Sequence, residues 1–214
     1  MLYSVSELKK DIRVVLDQNM TSEQLFETGD IDTLSLEEII ESKIVDAARL
    51  VETNAPLYLI DGGKHFDSSI DWDSAHGYGG GRILLPEDFM RLVSFMMSDW
   101  DYPVSAALTE DDPEYAMQRS RYPGIKGNPQ RPVVAITTQP AGQVLEFYSC
   151  TAGESVYVRR AQYLPMPEIK DDMIDLCVKL RRSIVYRAAS LVATAIGQTD
   201  LAAALLNTCN ELMS

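Results

Sequence analysis

MIDLCVKLRRSIVYRAASLVATA, residues 173–195, places apolar or small side chains at Met173, Cys177, Leu180, Ile184, Ala188, Leu191 and Ala195. Steps of three and four residues are those of one face of an α-helix. The pattern predicts one long helix through this stretch. Glu168, Asp171 and Asp172 would lie near its positive N-terminal end, and Asp175 and Lys179 would form an i,i+4 pair on its outer face. Gly197 ends it and Thr199 reads as the cap of a following helix, striped by Leu201, Leu205, Cys209 and Leu212. Two helices joined by so short a turn form an antiparallel hairpin.

The other end of the chain is helical too. Ser4 with Glu7 has the form of a capping box, followed by Val5, Leu8, Ile12, Val15 and Leu16 on one stripe, so a helix is expected over about 5–17. Thr21 with Gln24 repeats the signal for a short turn ending at Gly29. Ser35 with Glu38 opens a longer helix bearing Leu36, Ile40, Ile44, Ala47 and Val51, which Asn54 and Pro56 stop.

Between Ala55 and Pro165 lie nine of the ten prolines, broken by short runs of branched and aromatic residues, the composition of strands and turns. The expected strands are 57–60, 83–85, 92–97, 133–137, 144–148 and 155–158. The run Asp88–Asp99 also suits a helix through Phe89, Leu92, Val93 and Met96. Pro113 after Asp112 predicts a short helix over 113–121, and residues 122–131 read as a loop. The resulting class is α+β: residues 1–54 and 165–214 build a helical body, and residues 55–164 form an inserted β-rich domain.

The net charge of -13 argues against a non-specific nucleic-acid binder. Residues 1–122 hold 24 acids and 10 bases, residues 123–214 only 8 acids and 9 bases. Such a bias suits either a solvated surface that keeps the chain soluble or a region facing something anionic that must not adhere. No apolar stretch reaches the roughly 18 to 20 residues needed to cross a bilayer, and Met1–Asp11 has no apolar signal core, so synthesis in the cytosol is expected. Cys150, Cys177 and Cys209 fit neither a disulfide framework nor zinc-ligand spacing and read as buried thiols.

The densest set of potential ligands is Asp61, His65, Asp67, Asp71, Asp73 and His76, followed by Gly77 and Gly79–Gly81. Oxygen and imidazole donors in that number could hold a divalent metal and activate water, so a metal-dependent hydrolase using Asp61, His65, Asp71, Asp73 and His76 is one reading. A polar glycine-rich loop is the other, because the spacing matches no calcium loop, zinc-protease helix or phosphate-binding loop. With both histidines in this loop and no nucleophile elbow, no catalytic residue, metal ligand or cofactor is assigned. Lys179, Arg181, Arg182 and Arg187 could pair within the chain or with a neighbouring subunit. Trp72, Trp100, Tyr102, Tyr115 and Tyr122 suit either an interface or a core.

Several further runs carry a family texture: Leu84–Val93, Met97–Val104, Asp112–Gln118, Gly127–Val133 and Ile184–Val192. In this order they resemble the head-to-tail connector, or adaptor, proteins of short-tailed bacteriophages, most closely the portal-associated ring proteins of crAss-like phages. The resemblance extends over residues 35–213. It implies a non-enzymatic structural protein of the virion, forming a homo-oligomeric ring of about twelve copies between the capsid portal protein and other tail or ring proteins. Genomic DNA would pass through the channel without specific binding, and no membrane would be involved. The resemblance also implies a bundle of long helices with a small β domain inserted in the middle, and a strand over 89–97. The loop 61–81 has no counterpart in the family texture and is expected to be a contact with another tail protein.

Overall fold

A computed structural model describes residues 1–16, 35–66, 69–72, 79–118, 120, 122, 124–151 and 155–214. The expected turn from Thr21 to Gly29 lies outside the described residues. The chain divides into two compact units, one made of Met1–Asp61 with Met166–Ser214, the other of Gly62–Pro165.

The first unit is helical, and the N-terminal helices pack with the C-terminal pair, as expected for the α+β class. α1 (Val5–Val15) buries Val5, Leu8 and Ile12. α2 (Leu36–Asn54) buries Leu36, Ile40, Ile44, Ala47 and Val51, the stripe read from the sequence. Its start is the complete capping box: Ser35 Oγ accepts the N–H of Glu38, and the Glu38 carboxylate accepts the N–H of Ser35 at 2.7 Å. Ser4, by contrast, makes no side-chain cap. It closes strand β1 (Leu2–Ser4), whose backbone pairs with a strand near residue 173.

The long helix expected from Met173 begins only at Arg181. Asp171 and Asp172 take positive φ, 52° and 59°, and form the tight turn of a hairpin between two strands. Asp tolerates this left-handed region better than most residues. The strands are β9 (Ile169–Lys170) and β10 (Met173–Asp175), the latter pairing antiparallel with β1. Residues 173–176 also alternate with period two, and that period prevails here: Ile174 and Leu176 are buried while Asp175 is exposed. Asp175 and Lys179 are therefore not a helical pair, and Lys179 Nζ donates to the carbonyl of Tyr58 at 2.7 Å. A 3₁₀ turn (Val178–Leu180) leads into α4 (Arg181–Ala195). α4 packs against α1, α2 and α5 (Thr199–Glu211), so its buried surface, Ser183–Val185, Ala188–Ser190, Val192 and Ala193, is too broad to read as one stripe. Gly197 turns the chain between α4 and α5 at φ 82°. Thr199 is the first residue of α5, not its cap.

The second unit holds two sheets. One has the order β2-β8-β5, from Lys64–His65, Val158–Pro165 and Phe89–Met97; the other has the order β3-β4-β7-β6, from Asp71–Trp72, Gly79–Leu84, Gly142–Cys150 and Val134–Gln139. Phe66, Phe89, Phe95, Trp100, Phe147 and Tyr163 fill the core of this unit in stacked and edge-on pairs. The strand over 89–97 holds. Two expectations fail: residues 57–59 form a 3₁₀ turn after Pro56, in the helical unit, and the strand expected over 155–158 runs instead from Val158 to Pro165. Arg159 and Arg160, both exposed near the start of that strand, disguise it. α3 is short, Pro113–Met117, and ends at Gln118.

Candidate functional site

Of the proposed ligand set, Asp67, Asp73 and His76 lie outside the described residues. Asp61 belongs to the helical unit, where its carboxylate accepts the N–H of Val178 at 2.5 Å. His65 is exposed on β2 opposite Gln162, and Asp71 is exposed on β3 opposite Arg82. Among the described residues no three His, Cys, Asp or Glu side chains are placed to hold a metal ion. The glycines after the loop have a local reason. A Cβ on Gly79 would collide with the backbone of Cys150, and one on Gly81 with the ring of Phe147, so β4 lies too close to β7 for side chains there.

The thiols are buried and unpaired with one another. Burial pushes Cys177 up to about 12, and Cys150 and Cys209 also rise because of burial, which leaves all three protonated and poor nucleophiles. Trp100 is buried and Trp72 packs edge-on against Phe147, so both tryptophans serve the core. Tyr102 and Tyr122 are exposed. Three of the four cations have partners within the chain: Lys179 bonds the Tyr58 carbonyl, Arg181 bonds Asp11 at 2.5 Å and lies over the Tyr3 ring, and Arg182 lies over Tyr186.

Among the described residues, a polar cluster surrounds an acid that the sequence reading does not single out. Glu146, on β7, is buried beneath α3. Its carboxylate accepts the hydroxyls of Tyr148 and of Tyr115 from α3, the latter at 3.1 Å. Thr137 and Gln139 from β6 donate to the other oxygen at 3.4 and 3.3 Å, where Arg82 Nε also lies at 3.4 Å. Burial, followed by the bond to Glu146, drives the Tyr148 phenol far above its ordinary value, so it stays a donor. A carboxylate with every oxygen occupied has no lone pair aimed at a substrate. The cluster joins α3 to the sheet. A sequence signal existed: Glu146 is the sole acid between Glu114 and Glu154, set in the run Val144-Leu145-Glu146-Phe147.

What α3 and its neighbours present outward is a surface of a different kind. A cavity of about 240 Å³ opens among Met117, Gln118, Ile125, Lys126, Asn128 and Arg131. Gln118 forms its floor. Its Oε1 accepts the N–H of Gly127 at 2.8 Å while its Nε2 donates to the carbonyl of Glu114.

No family model and no curated protein matches this chain. No described helix is long and apolar enough to cross a membrane. Counted by unit, the helical one holds 19 acids and 10 bases and the β one 13 acids and 9 bases, so both are acidic.

Proposed function

We propose that the chain is a structural virion protein that forms a ring between the portal protein and the tail of a short-tailed bacteriophage. The observation that carries this reading is the helical unit closed by both ends of the chain, with a β unit inserted between Gly62 and Pro165. That is the arrangement implied by the resemblance to head-to-tail connector proteins. In this role the protein needs no cofactor and no catalytic residue. Its partners are copies of itself, the portal protein and other tail or ring proteins, at the head-tail junction of the virion.

The acidic balance supports the same reading. A channel for DNA must let a polyanion pass without retaining it, and carboxylates in its wall repel phosphate. On this proposal some of the acids within residues 1–122 face the channel, and the near-neutral C-terminal hairpin docks on a neighbour without accumulating like charge.

The test is native mass measurement and electron microscopy of the purified chain, alone and mixed with portal protein. A ring in either condition is the expected result. A chain that stays monomeric with portal protein, and that binds one divalent ion lost on replacing His65 and His76, would overturn it in favour of the hydrolase reading.

A further inference from the structure

The sheet β2-β8-β5 is a basic region in an acidic chain: its three strands hold Lys64, Arg91, Arg159 and Arg160 and no acid. Along β8, Ala161 and Tyr163 enter the aromatic core, so strand alternation sets Arg160 and Gln162 on the opposite face. The register aligns that face across the sheet. Gln162 stands opposite His65 on β2 and opposite Ser94 on β5, and Arg160 stands opposite Met96. Directly opposed side chains start about 4.5–5.5 Å apart at Cβ, so His65, Gln162 and Ser94 form one polar row with Arg160 beside it.

The row runs inward from solvent, with His65 exposed, Gln162 half-buried and Ser94 only 8% exposed. The buried Oγ of Ser94 has no hydrogen-bond partner. Among the described residues, the side chains of His65, Arg160 and Gln162 likewise make no hydrogen bond or ion pair. A buried hydroxyl left unpaired is uncommon and costs stability, which points to a partner from outside the chain. The backbone under the row is held from both sides of His65. Phe66 stacks on Phe95 and donates its N–H to the Ala161 carbonyl, and a Cβ at Gly63 would collide with the carbonyl of Tyr163. A row fixed before anything binds lowers the ordering cost of binding.

We infer that this face binds a phosphate group, free or as the terminal group of a small ester. Arg160 supplies the charge, and the Gln162 amide, the Ser94 hydroxyl and a His65 ring N–H supply neutral donors beside it. Donors reaching in from three strands suit the oxygens of a tetrahedral anion better than those of a planar carboxylate. No acid within the three strands competes for Arg160. A long polyanion such as nucleic acid fits less well, because the rest of the β unit would repel it: the unit as a whole holds 13 acids and 9 bases. Such a site is independent of the ring reading and compatible with it.

The test is titration of the full chain with inorganic phosphate at constant ionic strength, followed by calorimetry and by melting temperature, with circular dichroism to check that each variant folds. Saturable binding is expected, weakened about tenfold or more by Arg160→Ala and by Gln162→Leu. Lys64→Ala removes a charge from the same sheet, but one that faces Asp88, and should leave binding unchanged. Ser94→Ala supplies a readout that a merely structural serine would not move. Without phosphate it should melt no lower than the wild type, since a stranded hydroxyl is gone, and phosphate should raise its melting temperature less. Glycerol phosphate bound at least as tightly as inorganic phosphate would assign the ester, and weaker binding would assign the free ion. Absence of saturable binding would overturn the site, as would equal weakening by Lys64→Ala, which would mean bulk charge alone. A Ser94→Ala protein that loses stability yet keeps the full response to phosphate would overturn it too, as would binding of a single-stranded oligonucleotide without binding of phosphate.

Discussion

The helical unit is closed by groups from distant parts of the chain, whereas the β unit is closed by a continuous run of aromatic packing within one stretch. In the helical unit Leu176 donates its N–H to the carbonyl of Met1, Ser6 bonds Asp172, and Arg181 bonds Asp11. Glu52 and Asp61 accept the N–H groups of Cys177 and Val178 at 2.8 and 2.5 Å, satisfying donors just ahead of the turn into α4. The β unit instead holds four of the five phenylalanines and both tryptophans. Polar side chains thus fix which segments meet in the first unit, while buried ring area supplies cohesion in the second. Because no tryptophan lies in the helical unit, tryptophan emission follows the β unit, and the helical circular dichroism is drawn mainly from the other.

The sharpest way to break this comparison is to remove a ring. Phe95 is fully buried and contacts Phe66, Trp100 and Phe147, so Phe95→Ala should cost about 3–5 kcal/mol. The tryptophan transition in urea should move to much lower denaturant while the helical signal moves less. Equal movement of both probes would mean that the units unfold as one, and the contrast between them would not extend to stability. A smaller effect is expected at the polar cluster. Glu146→Ala strands the hydroxyls of Tyr115 and Tyr148 and should cost about 1–3 kcal/mol by the same emission probe. Glu146→Gln keeps one acceptor oxygen and should cost less. Equal losses would show that packing around the side chain matters there, not its hydrogen bonds.

The contrast also explains which parts were legible in the sequence. α2 was readable because its cap is local, Ser35 with Glu38, and because one face alone is buried, so propensity, cap and stripe agree. The start of α4 was not. Residues 173–180 satisfy a period of 3.6 on paper, yet pairing of β10 with β1, more than 160 residues away, settles them as strand and 3₁₀ turn. The position of β8 is not legible because the exposed Arg159 and Arg160 interrupt its apolar alternation. At the site level, Trp72 and Trp100 were open between interface and core, and only three-dimensional packing decides for the core. Glu146 is not legible in the sequence because its partners come from four segments: Arg82, Tyr115, Thr137 with Gln139, and Tyr148.

The finest test concerns Glu52, whose carboxylate helps to close the helical unit. It is 3% exposed, and burial raises its pKa above the usual 4.5, with the nearby Asp175 adding to the rise and the Cys177 N–H opposing it. A raised value means that the folded state holds this proton more firmly than the unfolded chain does. The stabilisation from protonation is fully present below the unfolded value and is lost as pH rises through the folded one. Wild-type stability should therefore fall with increasing pH across that window, in the helical signal and not in tryptophan emission. Glu52→Gln retains an acceptor for Cys177 but does not titrate, so its melting temperature should match the wild type in acid and exceed it above the window. A parallel pH dependence in both proteins would show that the carboxylate is relieved of its burial by other means. A difference appearing in tryptophan emission would show that closure of the helical unit is felt by the β unit as well.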